Sequence, residues 1–265
     1  MNGQFHIRMT AKPVYREGAV MSSDGNEEKF RKSQEFLSRV TSFIKGKIAL
    51  AYSYQSEDTV ALDMLLKCGL KEFEVFTLDT KKLFPELAEY HQVIEKFFGI
   101  SVGRRFPDAE EERKLEESLG EFGMRESLAA RRRCCRIRKV NTLARALNGK
   151  SAYVTGVRAS QSVTRAGIPP LEYDDQFDLI KINPLFDWSE DDVSAYIAKH
   201  GLPQNPLYAK GFRSIGCAPC TRPVKEGEDL RAGRWWWESP DQRECGCMIK
   251  YKEGDAQNAA TIKLG

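Results

Sequence analysis

The sequence predicts an α/β protein in which a mostly parallel sheet carries helices on both faces. Short apolar runs typical of buried strands alternate with longer segments whose apolar residues recur at helical spacing. The alternation ends near Gly201, and the residues beyond it hold four of the seven cysteines and three of the four tryptophans. We therefore expect a loose extension over residues 1–27, an α/β domain over residues 28–200 and a C-terminal functional segment over residues 201–265.

The predicted elements alternate as such a sheet requires. Ser56 and Asp58 can cap the helix that follows the first strand. Ser189 can cap the last helix, whose first turn holds Asp191 and Asp192. In chain order we predict a helix over 29–44, a strand over 48–54, a helix after residue 56, a strand over 73–78, a helix over 85–98, a short strand after residue 99, a charged helix from residue 108, a basic helix over 127–147, strands over 152–156 and 180–182, and a helix over 189–200.

Length and charge limit the classes of function. A chain of 265 residues can bury a substantial core. The net charge of +3, from 41 basic and 38 acidic residues, gives no general case for nucleic-acid binding. No apolar run approaches the ~20 residues that span a bilayer, and the N-terminus lacks the apolar core of a secretory signal. We predict a cytoplasmic protein with no nucleic-acid partner and no membrane segment, and the sequence leaves a homo-oligomer open.

Three predicted turns place hydroxyl groups and cations at the carboxyl ends of strands. The first turn holds Ser53, Ser56 and Asp58, the second holds Thr80, and the third holds Arg158. Ligands of open parallel sheets bind at this edge, where free backbone amides and helix N-termini suit phosphate or sulfate. Together the turns predict an anionic nucleotide as ligand, and they do not identify the reaction.

Two pairs of cysteines, Cys134–Cys135 and Cys217–Cys220, are candidate ligands. In a reducing compartment, cysteines are more often ligands or nucleophiles than structural disulfides. Four thiolates can bind one zinc ion or a four-iron cluster. Adjacent cysteines are unusual at structural zinc sites, whereas a cluster is broader than one ion, and six basic residues between 131 and 139 would offset its negative charge. Cys68, in an apolar helix, is predicted to be a buried thiol without a ligand.

Seven motifs follow one another between residues 48 and 246. They are Ser53-Tyr-Gln-Ser-Glu-Asp58, Leu78-Asp-Thr80, Cys134-Cys-Arg-Ile-Arg-Lys139, Thr155-Gly-Val-Arg158, Ser214-Ile-Gly-Cys-Ala-Pro-Cys-Thr-Arg-Pro223, Arg231-Ala-Gly-Arg-Trp-Trp-Trp-Glu238 and Glu244-Cys-Gly246. With these motifs the chain resembles the adenylylsulfate/phosphoadenylylsulfate reductase family, and within it the cluster-containing adenylylsulfate reductases. The motifs that contain cysteine pairs or tryptophans are highly specific, whereas the first two turns are not.

The resemblance implies a fold, a cofactor and a reaction. The implied fold is an adenine nucleotide alpha-hydrolase-like sheet, and the implied electron donor is thioredoxin or a similar dithiol. In the implied reaction, which belongs to assimilatory sulfate reduction, Cys245 attacks the sulfate sulfur of adenosine 5′-phosphosulfate and AMP leaves. A thioredoxin thiol then attacks Cys245 and releases sulfite from the cysteine thiosulfonate. The resemblance also implies a 4Fe-4S cluster held by Cys134, Cys135, Cys217 and Cys220.

The resemblance further assigns the cations of the site. The positions that match the family's sulfate and phosphate contacts are Lys139, Arg158, Arg231 and Arg234, and they join Ser53, Ser56, Asp58 and Thr80 as predicted substrate-binding residues. Such cations would let a thiolate approach a sulfate ester and would stabilise the nucleotide leaving group. The three consecutive tryptophans from Trp235 are predicted to pack the C-terminal segment onto the core.

The chain departs from the family pattern at two places. Related sequences usually continue Glu-Cys-Gly-Leu-His, whereas this one reads Glu244-Cys-Gly-Cys-Met248. Cys247 thus lies two residues from the predicted nucleophile, either as a bystander or as a resolving thiol. Lys81 stands where a glycine is common after Leu-Asp-Thr.

Three alternative functions are open at this point. A reductase that prefers the 3′-phosphorylated substrate, PAPS, is the nearest, although cluster-free relatives with that preference lack the four ligand cysteines. An ATP-dependent sulfur-transfer enzyme of the same superfamily would carry a Ser-Gly-Gly-x-Asp-Ser loop, which residues 52–58 do not match. A zinc-binding module without enzymatic activity is the third.

Overall fold

The computed structural model describes residues 23–70 and 72–249. The α-helices in this part of the chain are Ser23–Phe43 (α1), Ser56–Lys67 (α2), Glu86–Phe98 (α3), Ala109–Leu119 (α4), Leu128–Cys135 (α5), Asn141–Leu147 (α6) and Glu190–His200 (α7). The strands are Ile48–Ala51 (β1), Phe73–Leu78 (β2), Gly103–Arg105 (β3), Ala152–Val154 (β4), Leu171–Asp174 (β5) and Leu179–Ile182 (β6).

These strands form one sheet in the order β3-β2-β1-β4-β6-β5. Ile48 of the central strand β1 is in register with Phe73 of β2 and Ala152 of β4, both parallel. The edge strand β5 runs antiparallel to β6. The prediction of an α/β fold with a mostly parallel sheet is confirmed. The sequence does not predict β5, because its side chains are alternately exposed and half-buried and no apolar run marks it.

Both faces of the sheet are covered, as predicted. Leu50 points into a large apolar cluster that includes side chains of α1, α2, α3 and α7. Its neighbour Ala49 points to the opposite face, where Leu143 and Leu147 of α6 pack. This alternation is the two-residue period of a strand, so a central strand that is apolar throughout can serve two cores at once.

Two helix starts differ from the sequence prediction. Helix α1 begins at Ser23, six residues before the predicted start, and residues 1–22 of the predicted extension lie outside the described residues. The early turns lack an apolar pattern, yet pairs such as Glu28–Lys32, at 2.7 Å and helical spacing, stabilise them. At α2 the cap position belongs to Gln55, which makes no side-chain capping bond, and Ser56 is the first helical residue.

The predicted basic helix over 127–147 is helical throughout but not uniform. Ser127 caps it by accepting a hydrogen bond from the Ala130 amide at 3.1 Å. Between α5 and α6, residues Arg136–Val140 form a π-helical segment, which widens the helix directly after Cys134 and Cys135. Such π segments occur frequently at functional sites.

The C-terminal segment crosses the carboxyl edge of the sheet in short 3-10 turns. From residue 201 to residue 249 these turns are Tyr208–Lys210, Ala218–Cys220, Pro240–Gln242 and Gly246–Met248. The Ser56 amide donates to the Tyr208 hydroxyl at 3.0 Å, and the Ala218 amide donates to the Lys82 carbonyl at 2.7 Å. Residues 250–265 of the predicted segment lie outside the described residues. Across residues 23–70 and 72–249, no helix has the length and apolar character to cross a membrane.

Candidate active site

The turns after β1 and β4 are joined by one buried carboxylate. Asp58 Oδ2 accepts hydrogen bonds from the amide and the hydroxyl of Ser53, and Oδ1 accepts one from the Gly156 amide at 3.0 Å. A Cβ on Gly156 would lie 2.6 Å from Asp58 Oδ1, so only glycine permits this approach. Burial raises the pKa of Asp58 to about 6, against the effect of these hydrogen bonds. The Asp58 carboxylate therefore holds the two turns together through hydrogen bonds inside the protein.

The turn after β2 contacts the second cysteine pair. Thr80 is buried, and its Oγ1 lies 3.2 Å from Cys217 Sγ. Arg138 donates to the Thr80 carbonyl at 2.8 Å and fixes the turn to the cysteine helix. Lys81 has a φ of +56°, a conformation that favours glycine. This backbone explains why glycine is common at the position in related sequences.

Arg158 faces a carboxylate of its own chain. Its Nη2 and Nε donate to Glu57 Oε1 at 2.8 and 3.0 Å, and its Nη1 donates to the Trp188 carbonyl at 3.2 Å. The guanidinium is buried among these partners. Arg158 is thus paired with Glu57 in the first turn of α2.

The four predicted ligand cysteines line one cavity. Besides these cysteines, the side chains around it are mainly basic or aromatic: Lys82, Arg131, Arg138, Lys139, Arg234 and Trp235. Cys134 and Cys135 reach it from the end of α5, and Cys217 and Cys220 reach it from the 3-10 turn that packs over the edge of the sheet. The structure therefore brings together two cysteine pairs that are far apart in sequence.

Burial and mutual repulsion disfavour thiolates in this cavity. Burial, and after it the Cys217 charge, raises the pKa of the Cys134 thiol. Burial raises the pKa of Cys135 to about 12 and that of Cys220 to about 12, and Cys217 contributes to the latter. A bound cationic metal group would supply the charge that favours deprotonated ligands.

A single zinc ion requires ligand atoms about 2.0–2.3 Å from one point. In the part of the chain that the structure describes, no group of three or more His, Cys, Asp or Glu side chains is arranged to hold one metal ion. The four thiols line one cavity. The donor set is all-thiolate and the surroundings are cationic, which suits an iron–sulfur group.

Cys245 lies beside this cavity, packed against the same apolar cluster as the cysteine pairs. Its amide donates to Glu244 Oε1 at 2.8 Å. Hydrogen bonding by Cys247, together with the Lys139 and Arg234 charges, holds the pKa of Cys245 well below its usual value, although burial opposes this. A lowered pKa favours the thiolate, which is the form in which a cysteine acts as a nucleophile.

Three of the predicted cations surround this thiolate. Burial alone would lower the pKa of Lys139, but the charges of Cys217 and Cys245 raise it overall. Within the described residues, the Nε atoms of Arg231 and Arg234 are buried and have no hydrogen-bond partner. Unpaired buried donors next to a thiolate are suited to an anionic group that enters the site.

Arg234 is held against the backbone of the Ile-Gly-Cys turn. Its Nη1 donates to the Ile215 carbonyl at 3.0 Å, and its guanidinium stacks 4.3 Å from the ring centre of Trp235. A Cβ on Gly216 would lie 2.4 Å from Arg234 Nη2, so glycine makes room for the guanidinium. Trp235 is fully buried, which confirms for this residue that the tryptophan motif packs the segment onto the core.

Residues 47–223 match the family model of the phosphoadenosine phosphosulfate reductase domain. The chain belongs to this reductase family. It is 46% identical over 212 residues to an adenosine 5′-phosphosulfate reductase of Allochromatium vinosum, covering 80% of this chain and 82% of that one. It is 48% identical over 197 residues to one of Neisseria meningitidis, covering 74% and 80%. The predicted family is thus confirmed.

Solved structures share the fold of this reductase-family chain. A phosphoadenylyl-sulfate reductase from Candida auris superposes with a TM-score of 0.59 at 24% identity and covers 76% of this chain and 97% of its own. An FMN adenylyltransferase from Candida glabrata, in complex with FMN and an ATP analogue, gives a TM-score of 0.54 at 17% identity, over 90% and 80%. The predicted adenine nucleotide alpha-hydrolase-like sheet is confirmed.

Sequence reasoning missed the residues that hold the reductase's catalytic segment in place. Arg131 is fully buried; its Nε and Nη2 donate to Glu238 at 2.9 and 2.7 Å, and its Nη1 donates to the Glu244 carbonyl at 2.8 Å. Arg165 makes two hydrogen bonds to Glu244. Glu238 and Glu244 lie within quoted motifs, but no local signal points to their partners, 107 and 79 residues away.

Proposed function

We propose that this chain is an iron–sulfur adenylylsulfate reductase, which forms sulfite and AMP from adenosine 5′-phosphosulfate through a cysteine thiosulfonate on Cys245. The observation that carries the proposal is the placement of Cys245 beside two arginines with unpaired buried donors and beside a cavity lined by four cysteines. The sequence relatives named adenosine 5′-phosphosulfate reductase support the non-phosphorylated substrate. The reducing cytoplasm, where free thiols persist, is the compartment that suits these residues.

Binding of the nucleotide would use the carboxyl edge of the sheet. The turns after β1, β2 and β4 converge there, and Asp58 holds two of them together. Ser53 and Ser56 lie at the start of α2, whose N-terminal amides favour an anion. Arg231 and Arg234 approach from the C-terminal segment and would neutralise the phosphosulfate.

Sulfur transfer begins with Cys245. Its thiolate attacks the sulfate sulfur, the bond from that sulfur to the phosphate oxygen breaks, and AMP leaves with the electron pair. Lys139 and Arg234 reduce the repulsion between the thiolate and the sulfate, and they favour the charge that develops on the leaving group. A thiol of thioredoxin or a similar dithiol then attacks Cys245 Sγ, and sulfite leaves with the bonding pair. The second thiol of the donor closes its disulfide and frees Cys245.

Cys134, Cys135, Cys217 and Cys220 would hold a 4Fe-4S cluster. When bound, such a cluster supplies a charged redox group whose iron–thiolate bonds keep the four thiols deprotonated. Lys139 and Arg234 line the cavity and would offset its negative charge. Arg131 and Arg138 also line it, but each is paired with a glutamate. The same side chains anchor α5 to the C-terminal segment and to the turn after β2.

A direct test compares the two nucleotides. Anaerobically purified protein with a thioredoxin system should release AMP and sulfite from adenosine 5′-phosphosulfate, and more slowly or not at all from its 3′-phosphorylated form. Cys245→Ser should abolish release, while Cys68→Ser, which changes a thiol packed between α1 and α2, should not. Faster turnover of the 3′-phosphorylated nucleotide would replace the proposed substrate, and no release from either would reject the proposal.

A further inference from the structure

We propose that Cys247 is a resolving thiol, which displaces sulfite from the Cys245 thiosulfonate and leaves a Cys245–Cys247 disulfide for the dithiol donor to reduce. This inference rests on the proposed function, because it concerns the fate of the intermediate formed at the same site. In this scheme Cys247 releases the sulfite, and the external dithiol reduces the Cys245–Cys247 disulfide.

Local backbone structure brings the two thiols together. Cys245 precedes the 3-10 turn Gly246–Met248, and its carbonyl accepts the Met248 amide at 2.9 Å. Helical backbone at Gly246 keeps the flanking Cα atoms within the separation found in disulfides, about 4.4–6.8 Å. Cys247 thus follows Cys245 on one short turn, with a single residue between them. Gly246 contributes no side chain that could stand between the sulfurs.

No other cysteine of the chain is placed for this role. Cys134, Cys135, Cys217 and Cys220 line the cavity and are the proposed cluster ligands. Cys68 ends α2 and lies 3.1 Å from the Gln34 amide nitrogen, packed into the apolar cluster on α1 and α2. Cys247 belongs to neither group: it packs against the apolar cluster that includes Leu143 and Leu147 of α6, and it lies two residues from Cys245 on the same short turn.

Access favours an internal nucleophile. Arg131 fastens the segment by donating to the carbonyls of Gln242 and Glu244, both at 2.8 Å. Arg165 and Arg231 bind the Glu244 side chain next to Cys245. A protein thiol that attacks Cys245 has to reach a half-buried sulfur beside these contacts, whereas Cys247 lies two residues away on the same short turn.

The step balances in atoms and electrons. Cys247 loses its thiol proton to solvent, and its sulfur bonds to Cys245 Sγ. The bond between Cys245 Sγ and the sulfonate sulfur breaks, and its electron pair leaves with sulfite. Sulfur transfer moves the negative charge from Cys245 Sγ onto the sulfonate oxygens. Two electrons from the external dithiol then reduce the disulfide, and a ring closed by one intervening residue is readily reduced.

The first experiment is a single turnover without any added thiol. Wild-type protein, Cys247→Ala and the control Cys68→Ala are mixed anaerobically with adenosine 5′-phosphosulfate, and AMP, free sulfite and the mass of the peptide over residues 244–249 are followed. We expect wild type and Cys68→Ala to release AMP and sulfite and to lose two hydrogens from the peptide. Cys247→Ala should release AMP but keep a sulfite-sized adduct until a dithiol is added. Equally stable adducts in all three proteins would overturn the proposal.

The second experiment needs no substrate. The same proteins are equilibrated in dithiol/disulfide buffers of increasing potential, and the Cys245–Cys247 disulfide is quantified by peptide mass. The bond should form reversibly in wild type and in Cys68→Ala, and its absence there would overturn the inference. Should the nucleotide yield no AMP with any protein, the proposed function fails, while this titration still decides whether the two cysteines form a redox pair.

Discussion

Glu244 and Arg165 form a bidentate ion pair directly beside Cys245. Arg165 Nη2 lies 2.7 Å from Glu244 Oε1, and Nε lies 3.0 Å from Oε2. Oε1 also accepts the Cys245 amide, at 2.8 Å, and a bond from Arg231 at 3.1 Å. One carboxylate therefore fixes the backbone of Cys245, the proposed nucleophile, and orients Arg231, a proposed sulfate contact.

This pairing makes the stability of the protein depend on acid pH. Burial opposes ionisation of Glu244, but Arg165 and Arg231 lower its pKa from 4.5 to about 2. The carboxylate therefore stabilises the fold fully above pH ~4.5, and the contribution is lost as the pH falls toward about 2. Glu244→Gln should cost roughly 3 kcal/mol at neutral pH, and its difference from wild type should shrink in acid.

Denaturant unfolding of wild type and Glu244→Gln from pH 6 down to pH ~3 measures this effect. Glu117→Gln, on the exposed face of α4, is the control and should follow wild type throughout. A constant difference between Glu244→Gln and wild type across the range would contradict the role of ionisation.

The cavity lined by four cysteines predicts that the protein contains iron. Anaerobically prepared protein should be brown and hold about four irons and four sulfides per chain. Replacing any one of Cys134, Cys135, Cys217 or Cys220 with serine should bleach it, because each thiol lines the cavity. Cys68→Ser should retain the iron. One zinc per chain with no sulfide would reject the cluster.

Much of the fold could be predicted from the sequence, because a buried strand is marked by a short run of apolar residues. The run Phe73–Leu78 matches β2 at both ends, whereas β1 stops at Ala51, three residues before its predicted end. Tyr54 explains the difference, since its φ of +64° is incompatible with a strand. Edge strand β5 is half-exposed and carries no such apolar run.

The site could be predicted from the sequence only for residues that lie in recognisable motifs. Motifs identify the cysteines and the cations, but side-chain pairing over long sequence separations leaves no local trace. Asp58 illustrates this limit: it was expected at the substrate, and it accepts hydrogen bonds from Ser53 and Gly156 within the protein. Arg131 appeared as one member of a basic run, yet it is the residue that ties α5 to the catalytic segment.

The nucleophile assignment can be tested by mass. With adenosine 5′-phosphosulfate and no thiol, Cys247→Ala protein should accumulate one sulfite-sized adduct on the peptide that contains Cys245. The double variant Cys245→Ser/Cys247→Ala should form no adduct. It should still bind iron and nucleotide, because the cavity and the sheet edge are unchanged. Detection of the adduct on Cys68 instead would show that the nucleophile is wrongly assigned.

Arg131 should support both folding and sulfur transfer. Arg131→Met leaves the buried Glu238 carboxylate without its partner, which typically costs about 3–5 kcal/mol. It also releases the carbonyls of Gln242 and Glu244, so adduct formation on Cys245 should slow. Arg113→Met removes an exposed arginine that also contacts a glutamate, Glu110, at 2.7 Å and should cost no more than about 1 kcal/mol. Equal stability losses would contradict this role for Arg131.

Gly216 offers a way to move Arg234 without changing it. In Gly216→Ala the added Cβ would lie 2.4 Å from Arg234 Nη2 and 2.5 Å from Cζ, so the end of the side chain has to shift. Because the clash is with a side chain and not with backbone, we expect iron content and stability to change little. The KM for adenosine 5′-phosphosulfate should rise about tenfold, as for the loss of one charge-assisted contact of about 1.4 kcal/mol.

The matched control is Gly167→Ala, where a Cβ meets nothing within 4 Å. Steady-state kinetics of the two variants, with iron analysis of each preparation, separate a shifted guanidinium from a damaged cavity. A tenfold rise in KM for Gly216→Ala at full iron content would place Arg234 on the substrate, because only the position of that cation has changed. A normal KM would mean that Arg234 does not contact the substrate, and only stacks on Trp235 and donates to the Ile215 carbonyl. Binding of the sulfate group would then depend on Lys139 and Arg231.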